Sequence, residues 1–380
     1  MTEVAFRDPR AAAGDSVLVA LSGGVDSSVA ALRLLEAGYR VEAAYIRTWM
    51  HEDDPFAQCP AEEEIEEASA AAAALRIPFR VVNLVDAYRD RVVGYLVDGY
   101  RRGVTPNPDV MCNREIKFGM FADYGSGEGF DWIATGHYVR SRVREGSGEL
   151  WVGEGLDPEK DQSYFLALSG GTALRRALFP LGELRKTQVR ELAQRSGLPN
   201  ARRKDSQGIC FLGKVDLREF LRQYIPDRPG RILNRAGAVL GEHPGIHAYT
   251  IGQRRGLNIP SNKDHEFYVV VAKDVESGDL TVAFESDRES GLWSRRARVG
   301  PVSWIGEGKP EGIAAWEGRP RYRDPRQRIG VSWRPSGGAE IEFEETQRGL
   351  AAGQVLAFYD RDRLLGGAVF ERVDDVLTVE

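Results

Sequence analysis

Apolar residues run unbroken from 17 to 21 (VLVAL) and then recur at helical spacing over 27–37, until Gly38. The first pattern predicts a short buried strand and the second a helix, with a glycine-bearing turn between them. The alternation continues with a strand at 41–46, an alanine- and glutamate-rich helix at 62–75, a strand at 79–84, a helix at 86–100 and a strand at 132–138 (WIATGHY). This order predicts an α/β domain on a doubly wound parallel sheet, with ligands bound outside the carboxyl ends of the strands. Ile46 and Gly136 fall at such ends.

A further amphipathic helix is predicted between 181 and 197 (KTQVRELAQRSG). From about Asp216 the texture changes to short alternating runs separated by glycines. RILNRAGAVLGEHPG, IHAYTIGQRRGLNI and FYVVVAKDVESGDLTVAF read as hairpins, and 293–380 continues with runs such as RIGVSWRP, AEIEFEE and QVLAFYD. Strands this short and closely spaced predict a small barrel or sandwich. Three parts follow, at 1–214, 215–286 and 287–380.

Composition works mainly by exclusion. The chain is 42% hydrophobic and 28% charged, and nothing in it approaches a run of ~20 apolar residues or the apolar core of a signal peptide. A cytoplasmic protein with no membrane partner is expected. The net charge of −6 argues against a surface coated for nonspecific nucleic-acid binding, so basic residues matter where they cluster. They do so at Arg202, Arg203 and Lys204, and again at Arg319, Arg321, Arg323, Arg326 and Arg328, with Tyr322 inside the run. Such a stripe fits either a solvated face or RNA contact through phosphates and stacking. Cys59, Cys112 and Cys210 are too few and too scattered for a disulfide scaffold or a zinc site.

Candidate chemistry begins at the first turn. Gly23 and Gly24 can turn their N–H groups inward, Ser22, Ser27 and Ser28 add hydroxyls, and a helix N-terminus favours an anion. The turn lacks the lysine of a G-x-x-x-x-G-K-[ST] loop, so it is not arranged to hold a γ-phosphate for transfer. Prolines on both sides of Asn107 predict a stiff exposed loop at Asn107, Pro108 and Asp109, ahead of a helix holding Cys112. His137 reads as a general base or a packing residue, and Asp161 or Ser163 as a helix cap.

Together SGGVDSS, TPNPDVMCNREIKF, ATGHY, KDQSYFL, KDSQGICFLG and YTIGQRRGL resemble, in order over nearly the whole chain, the tRNA-specific 2-thiouridylases. That resemblance implies an N-terminal ATP-pyrophosphatase domain, a small central domain and a C-terminal β-barrel that grips tRNA. It implies ATP contacts at Ala20, Leu21, Ser22, Gly23, Gly24, Val25, Asp26, Ser27, Ile46 and Gly136, with Asp26 beside magnesium. It further implies tRNA contacts at Asn107, Pro108, Asp109, Lys160, Asp161, Gln162, Arg321 and Tyr322. Cys112 and Cys210 become the catalytic pair with Asp109 as proton shuttle, and Cys210 carries persulfide sulfur from a cysteine desulfurase or relay donor. The implied substrate is the wobble uridine of lysine, glutamate and glutamine tRNAs. Ile46 stands where methionine is common, and QRGLAAGQ replaces a proline-containing version. A small-molecule adenylating synthetase would share the glycine turn but need neither the cysteine pair nor the arginine-rich barrel.

Overall fold

The computed structural model describes residues 6–49, 60–144, 146–204, 216–261, 265–288, 290–313, 315–335 and 337–374. Cys59, Cys210 and the glycine-bearing loop around Cys210 lie outside the described residues. The chain opens with β1 (Ser16–Ala20), α1 (Val25–Glu36), β2 (Arg40–Arg47), α2 (Pro60–Leu75), β3 (Phe79–Asn83) and β4 (Trp132–Ala134). A hairpin of β5 (Val139–Val143) and β6 (Leu150–Glu154) then precedes β7 (Ala177–Leu178). The strands β3, β2, β1, β4 and β7 pair in that order, all parallel.

Side-chain alternation along β1 explains the two-faced burial. Val17 and Val19 join Ala31 and Leu34 of α1 in one cluster, while Leu18 joins Ile116 and Phe121 from the opposite face. α1 closes at Ala37, and Gly38 takes φ +85° where a side chain would be strained. The strand expected at 132–138 stops at Ala134, and the helix expected between 181 and 197 is confined to Lys186–Arg195.

The central part forms a four-stranded sheet from β8 (Gly230–Asn234), β9 (Val239–His243), β10 (Tyr268–Lys273) and β11 (Leu280–Phe284). Two of the three expected hairpins are there, β8–β9 and β10–β11. The third is not: IHAYTIGQRRGLNI makes a single 3-10 turn at Ile246–Ala248 and otherwise runs as loop, placing Tyr249 and Leu257 in the sheet's core.

The C-terminal part contains β12 (Trp293–Val299), β13 (Ser303–Trp304), β14 (Trp316–Arg319), β15 (Gln327–Trp333), β16 (Ala339–Arg348), β17 (Val355–Asp360) and β18 (Arg363–Val373). Because β12 pairs with both β16 and β18, the strands β12, β16, β15, β14, β17 and β18 close into a barrel. Closure removes the exposed edges that an open sandwich would leave. The β5–β6 hairpin extends this sheet, with Val152 opposite Leu364 of β18. Among the described residues no helix is long and apolar enough to cross a membrane.

Candidate active site

In the order β3–β2–β1–β4–β7, connections leave β1 and β4 in opposite directions, which opens a crevice at their carboxyl ends. Ala20 ends β1 there, and the Leu21 amide extends the sheet by donating to Ala44 O at 2.8 Å. Gly23 makes the turn at φ +76°. Gly24 is the extended N-cap of α1, so only one of the two glycines adopts a glycine-only conformation.

Two of the three serines hold this turn from within. Ser27 Oγ accepts from the Ser22 amide at 3.1 Å and donates to Gly24 O at 3.0 Å, and Ser28 Oγ also donates to Gly24 O. Both residues are buried and spend their hydroxyls inside the turn, so of the three expected donors only Ser22 is exposed. The buried amide of Asn200 completes the lock by donating to Gly23 O at 2.7 Å and Ser28 Oγ at 2.8 Å. From the expected basic cluster, Arg203 reaches over Gly23, where it pairs with Glu67 and lies 3.9 Å from Glu64. Gly136 is needed for close approach: a Cβ there would come 2.8 Å from the Ser27 nitrogen and 2.9 Å from the Asp26 carbonyl carbon.

Asp26 is engaged on both carboxylate oxygens. Lys186 Nζ lies 2.8 Å from each, and the Tyr138 hydroxyl donates to Oδ1 at 2.7 Å. Lys186 was not singled out from sequence, although a signal existed. A cation on the first residue of a helix opposes the macrodipole unless an anion faces it. His137 is buried between Phe118 and Phe179 with Nδ1 2.7 Å from Thr135 Oγ1. Burial, helped by Lys117, holds it well below the usual imidazole range, so it packs as a neutral ring.

The second motif is more helical than expected. Asn107 is the N-cap of helix Pro108–Cys112, its Oδ1 accepting from the Val110 amide at 3.1 Å, and Pro108 and Asp109 occupy the first turn. All three are half-buried, which corrects the expectation of an exposed loop. Cys112 is fully buried, in the same apolar cluster as Ile46 and Trp49 just beyond β2. Thr105, two residues before Asn107, is held by the other two parts of the molecule at once. Its amide donates to Ala352 O at 2.8 Å, its carbonyl accepts from Gln354 Nε2 at 2.9 Å, and its hydroxyl lies 3.2 Å from that of Thr250.

The expected RNA contacts divide. Asp161 is buried, and its carboxylate accepts from the Gly155 and Ser163 amides, from Ser163 Oγ and from Arg319 at 3.0 Å. It therefore presents no carboxylate outward. Gln162 Oε1 accepts from the Tyr138 amide at 3.1 Å, and Lys160 is half-buried. Nor is the arginine run a uniform stripe. Arg319 also pairs with Glu154 at 2.6 Å, Arg326 lies between Glu154 and Glu317, and Arg321 donates to Arg348 O at 3.1 Å. Burial raises the Glu154 carboxyl pKa, against the pull of Arg326 and Arg319. Tyr322 packs on Phe165 with ring centroids 4.4 Å apart, which leaves Arg323 and Arg328 as the exposed members.

Three family models match successive parts of this arrangement between residues 15 and 370. A tRNA methyl transferase HUP domain matches residues 15–214, a tRNA methyl transferase PRC-barrel domain 218–284, and an aminomethyltransferase beta-barrel domain 294–370. The tRNA-specific 2-thiouridylase MnmA of Akkermansia muciniphila is 48% identical over 94% of this chain and 99% of its own length. The chain belongs to the tRNA-specific 2-thiouridylase family. A second 2-thiouridylase, from Chromohalobacter salexigens, is 44% identical over 93% of this chain and 91% of its own. A 4-thiouridine synthetase solved as an RNA complex with bound ATP aligns with 56% of this chain and 50% of its own, at 20% identity and a TM-score of 0.35. The glycine turn, the Asp26–Lys186 pair and the helix of Cys112 all lie within the segment that the HUP-domain model matches.

Proposed function

We propose that this chain is a cytoplasmic enzyme that uses ATP to convert the wobble uridine of lysine, glutamate and glutamine tRNAs to 2-thiouridine, releasing AMP and pyrophosphate. The observation that carries the reading is the glycine turn at the sheet's switch point with a cation–carboxylate pair, Lys186 and Asp26, at its mouth.

A uracil C2 carbonyl is a poor electrophile, so its oxygen first attacks the α-phosphorus of ATP and pyrophosphate departs. The turn amides, and Lys186 once it leaves Asp26, offset the charge that develops on the departing oxygens. Magnesium fits only as a partner of the ATP phosphates. Asp26 offers it one carboxylate, and the described residues hold no cluster of three or more metal-ligating side chains.

The base is held at Asn107, Pro108 and Asp109, with Asp109 carrying the proton transfer. Sulfur arrives as a persulfide on Cys210, loaded by a cysteine desulfurase or a relay protein. Its terminal sulfur attacks C2 and AMP leaves with the C2–O bonding pair. The Cys112 thiolate then attacks Cys210 Sγ, the S–S electron pair stays on the 2-thiouridine sulfur, and a Cys112–Cys210 disulfide remains. In a second order of events, Cys112 attacks first and hydrosulfide adds to C2. Because Cys112 is fully buried, either order requires the thiol to become accessible. RNA contact through Lys160, Gln162 and the exposed Arg323 belongs to the same reading.

Nucleoside mass spectrometry after incubating the protein with unmodified tRNA, ATP, magnesium and a persulfide donor tests this. ATP-dependent 2-thiouridine is expected, and its absence under all donors overturns the reading.

A further inference from the structure

The glycine turn has a cation at each end. At the α1 end Lys186 holds Asp26. At the other end stands Arg203, whose Nη1 lies 3.0 Å from where a Cβ on Gly23 would be. Its backbone belongs to the same lock that fixes the turn. The Arg203 amide donates to Asn200 O at 2.9 Å, its carbonyl accepts from Arg190 Nη1 at 3.0 Å, and the Asn200 side chain bonds Gly23 O and Ser28 Oγ. From so fixed a base the guanidinium reaches the turn by rotating its own side chain, without movement of the main chain.

Arg203 is held only lightly where it stands. It pairs through Nη1 with Glu67 of α2, whose side chain is 40% exposed, so water can take the place of the cation when it leaves. Glu64 of the same helix lies 3.9 Å from Nη2, beyond hydrogen-bond distance, and burial raises its carboxyl pKa against the pull of Tyr45 and Arg203. Among the described residues Nε and Nη2 donate to no acceptor. A planar guanidinium with donors to spare, beside an anion-binding turn, suits phosphate oxygens, which arginine takes through paired N–H bonds. Cations at both ends of the turn suit a chain of phosphates rather than a single one.

We propose that Arg203 is a binding residue for the β- and γ-phosphates of ATP, turning onto them from Glu67 and holding them as they depart as pyrophosphate. The inference rests on the ATP reading above and adds to it a residue, at the end of the turn that Asp26 and Lys186 do not reach.

Calorimetric titration of the full chain with α,β-methylene-ATP, pyrophosphate and AMP, in magnesium and without tRNA, tests the assignment. Arg203→Met is expected to raise the Kd of the methylene analogue and of pyrophosphate at least about tenfold, the scale of a lost charge-assisted hydrogen bond, with the Kd of AMP within about twofold of wild type. Arg203→Lys, which keeps the charge, is expected to recover most of that loss. Glu67→Gln breaks the same ion pair but keeps the cation, and is expected to bind the analogue at least as tightly as wild type does. A purely structural pair gives different results: Arg203→Met weakens AMP and the analogue alike, or Glu67→Gln weakens the analogue as much as Arg203→Met does. Either result overturns the proposal, and so does an Arg203→Met protein that binds the analogue and pyrophosphate as wild type does. Wild-type protein that binds none of the three overturns the ATP reading instead. If Arg203→Met does not fold, Arg203→Gln is read in the same way.

Discussion

Gly353, at φ +91°, lies so close to Thr105 that a Cβ on it would stand 2.9 Å from the carbonyl carbon and oxygen of Thr105 and 3.0 Å from its nitrogen. The barrel is thereby seated on the backbone that leads into Asn107. Gly353→Ala combines left-handed strain with a backbone clash, and is expected to destabilise by roughly 2–4 kcal/mol. Urea unfolding measures the loss. If the stability of the variant matches wild type, the contact is not as tight as described.

Removing one member of the pair at the turn leaves the other charge without its partner. Asp26→Ala is expected to abolish reaction with ATP while tRNA affinity stays within a few-fold. Lys186→Met is expected to lower thiolation at least about 100-fold, the scale of losing one preorganised charge at a departing oxyanion. Single-turnover assays at saturating tRNA measure both, and retained activity in Asp26→Ala would sink the ATP assignment.

The arginines should separate by burial. Arg323→Ala, at an exposed position, is expected to reduce the slope of log Kd for tRNA against log salt by about one unit. Arg319→Met leaves buried Asp161 without its cation and half-buried Glu154 with Arg326 alone, and should cost stability by about 3–5 kcal/mol. Its salt slope should not change. A salt slope altered by Arg319→Met and unaffected by Arg323→Ala would reverse this division.

Buried His137 makes stability depend on pH in a stated direction. Its folded pKa lies well below the ordinary 6.5, so as pH falls the unfolded chain takes up the proton first. Stability is therefore full above about pH 6.5 and is lost below it, by up to ~1.4 kcal/mol per pH unit for one proton. Burial shifts His243 and His247 in the same direction. Urea midpoints at pH 5, 6 and 7 measure the trend, and His137→Asn should flatten it.

Two of the three cysteines should matter. After one turnover with a persulfide donor, peptide mapping is expected to find a Cys112–Cys210 disulfide, which needs their Cα atoms within about 7 Å. A reductant is expected to be required for the next cycle. Cys59→Ser should thiolate at the wild-type rate. Both thiols reduced after turnover, without added reductant, would remove the two-cysteine mechanism.

What the sequence determined by itself is local. The buried run at 17–21, the turn at Gly23 and the stop at Gly38 are set by burial pattern and by glycine's access to positive φ, and these needed no partner to be legible. The motifs carried the family for the same reason, since contiguous residues such as TPNPDVMCNREIKF keep their order in any fold. Tertiary structure alone decided which charges meet. Asp26 and Lys186 are 160 residues apart, and Asp161 and Arg319 are 158 apart, so neither pairing leaves a periodic trace in the chain. The arginine run illustrates the limit: Arg319 closes β14 while Arg321, Arg323 and Arg326 lie in the loop before β15, and the partners of Arg319, Glu154 and Asp161, arrive from a hairpin and a loop in a different part of the sequence. Burial of a charge is a property of the assembled surface around it, and that surface forms only when the barrel closes against the parallel-sheet domain.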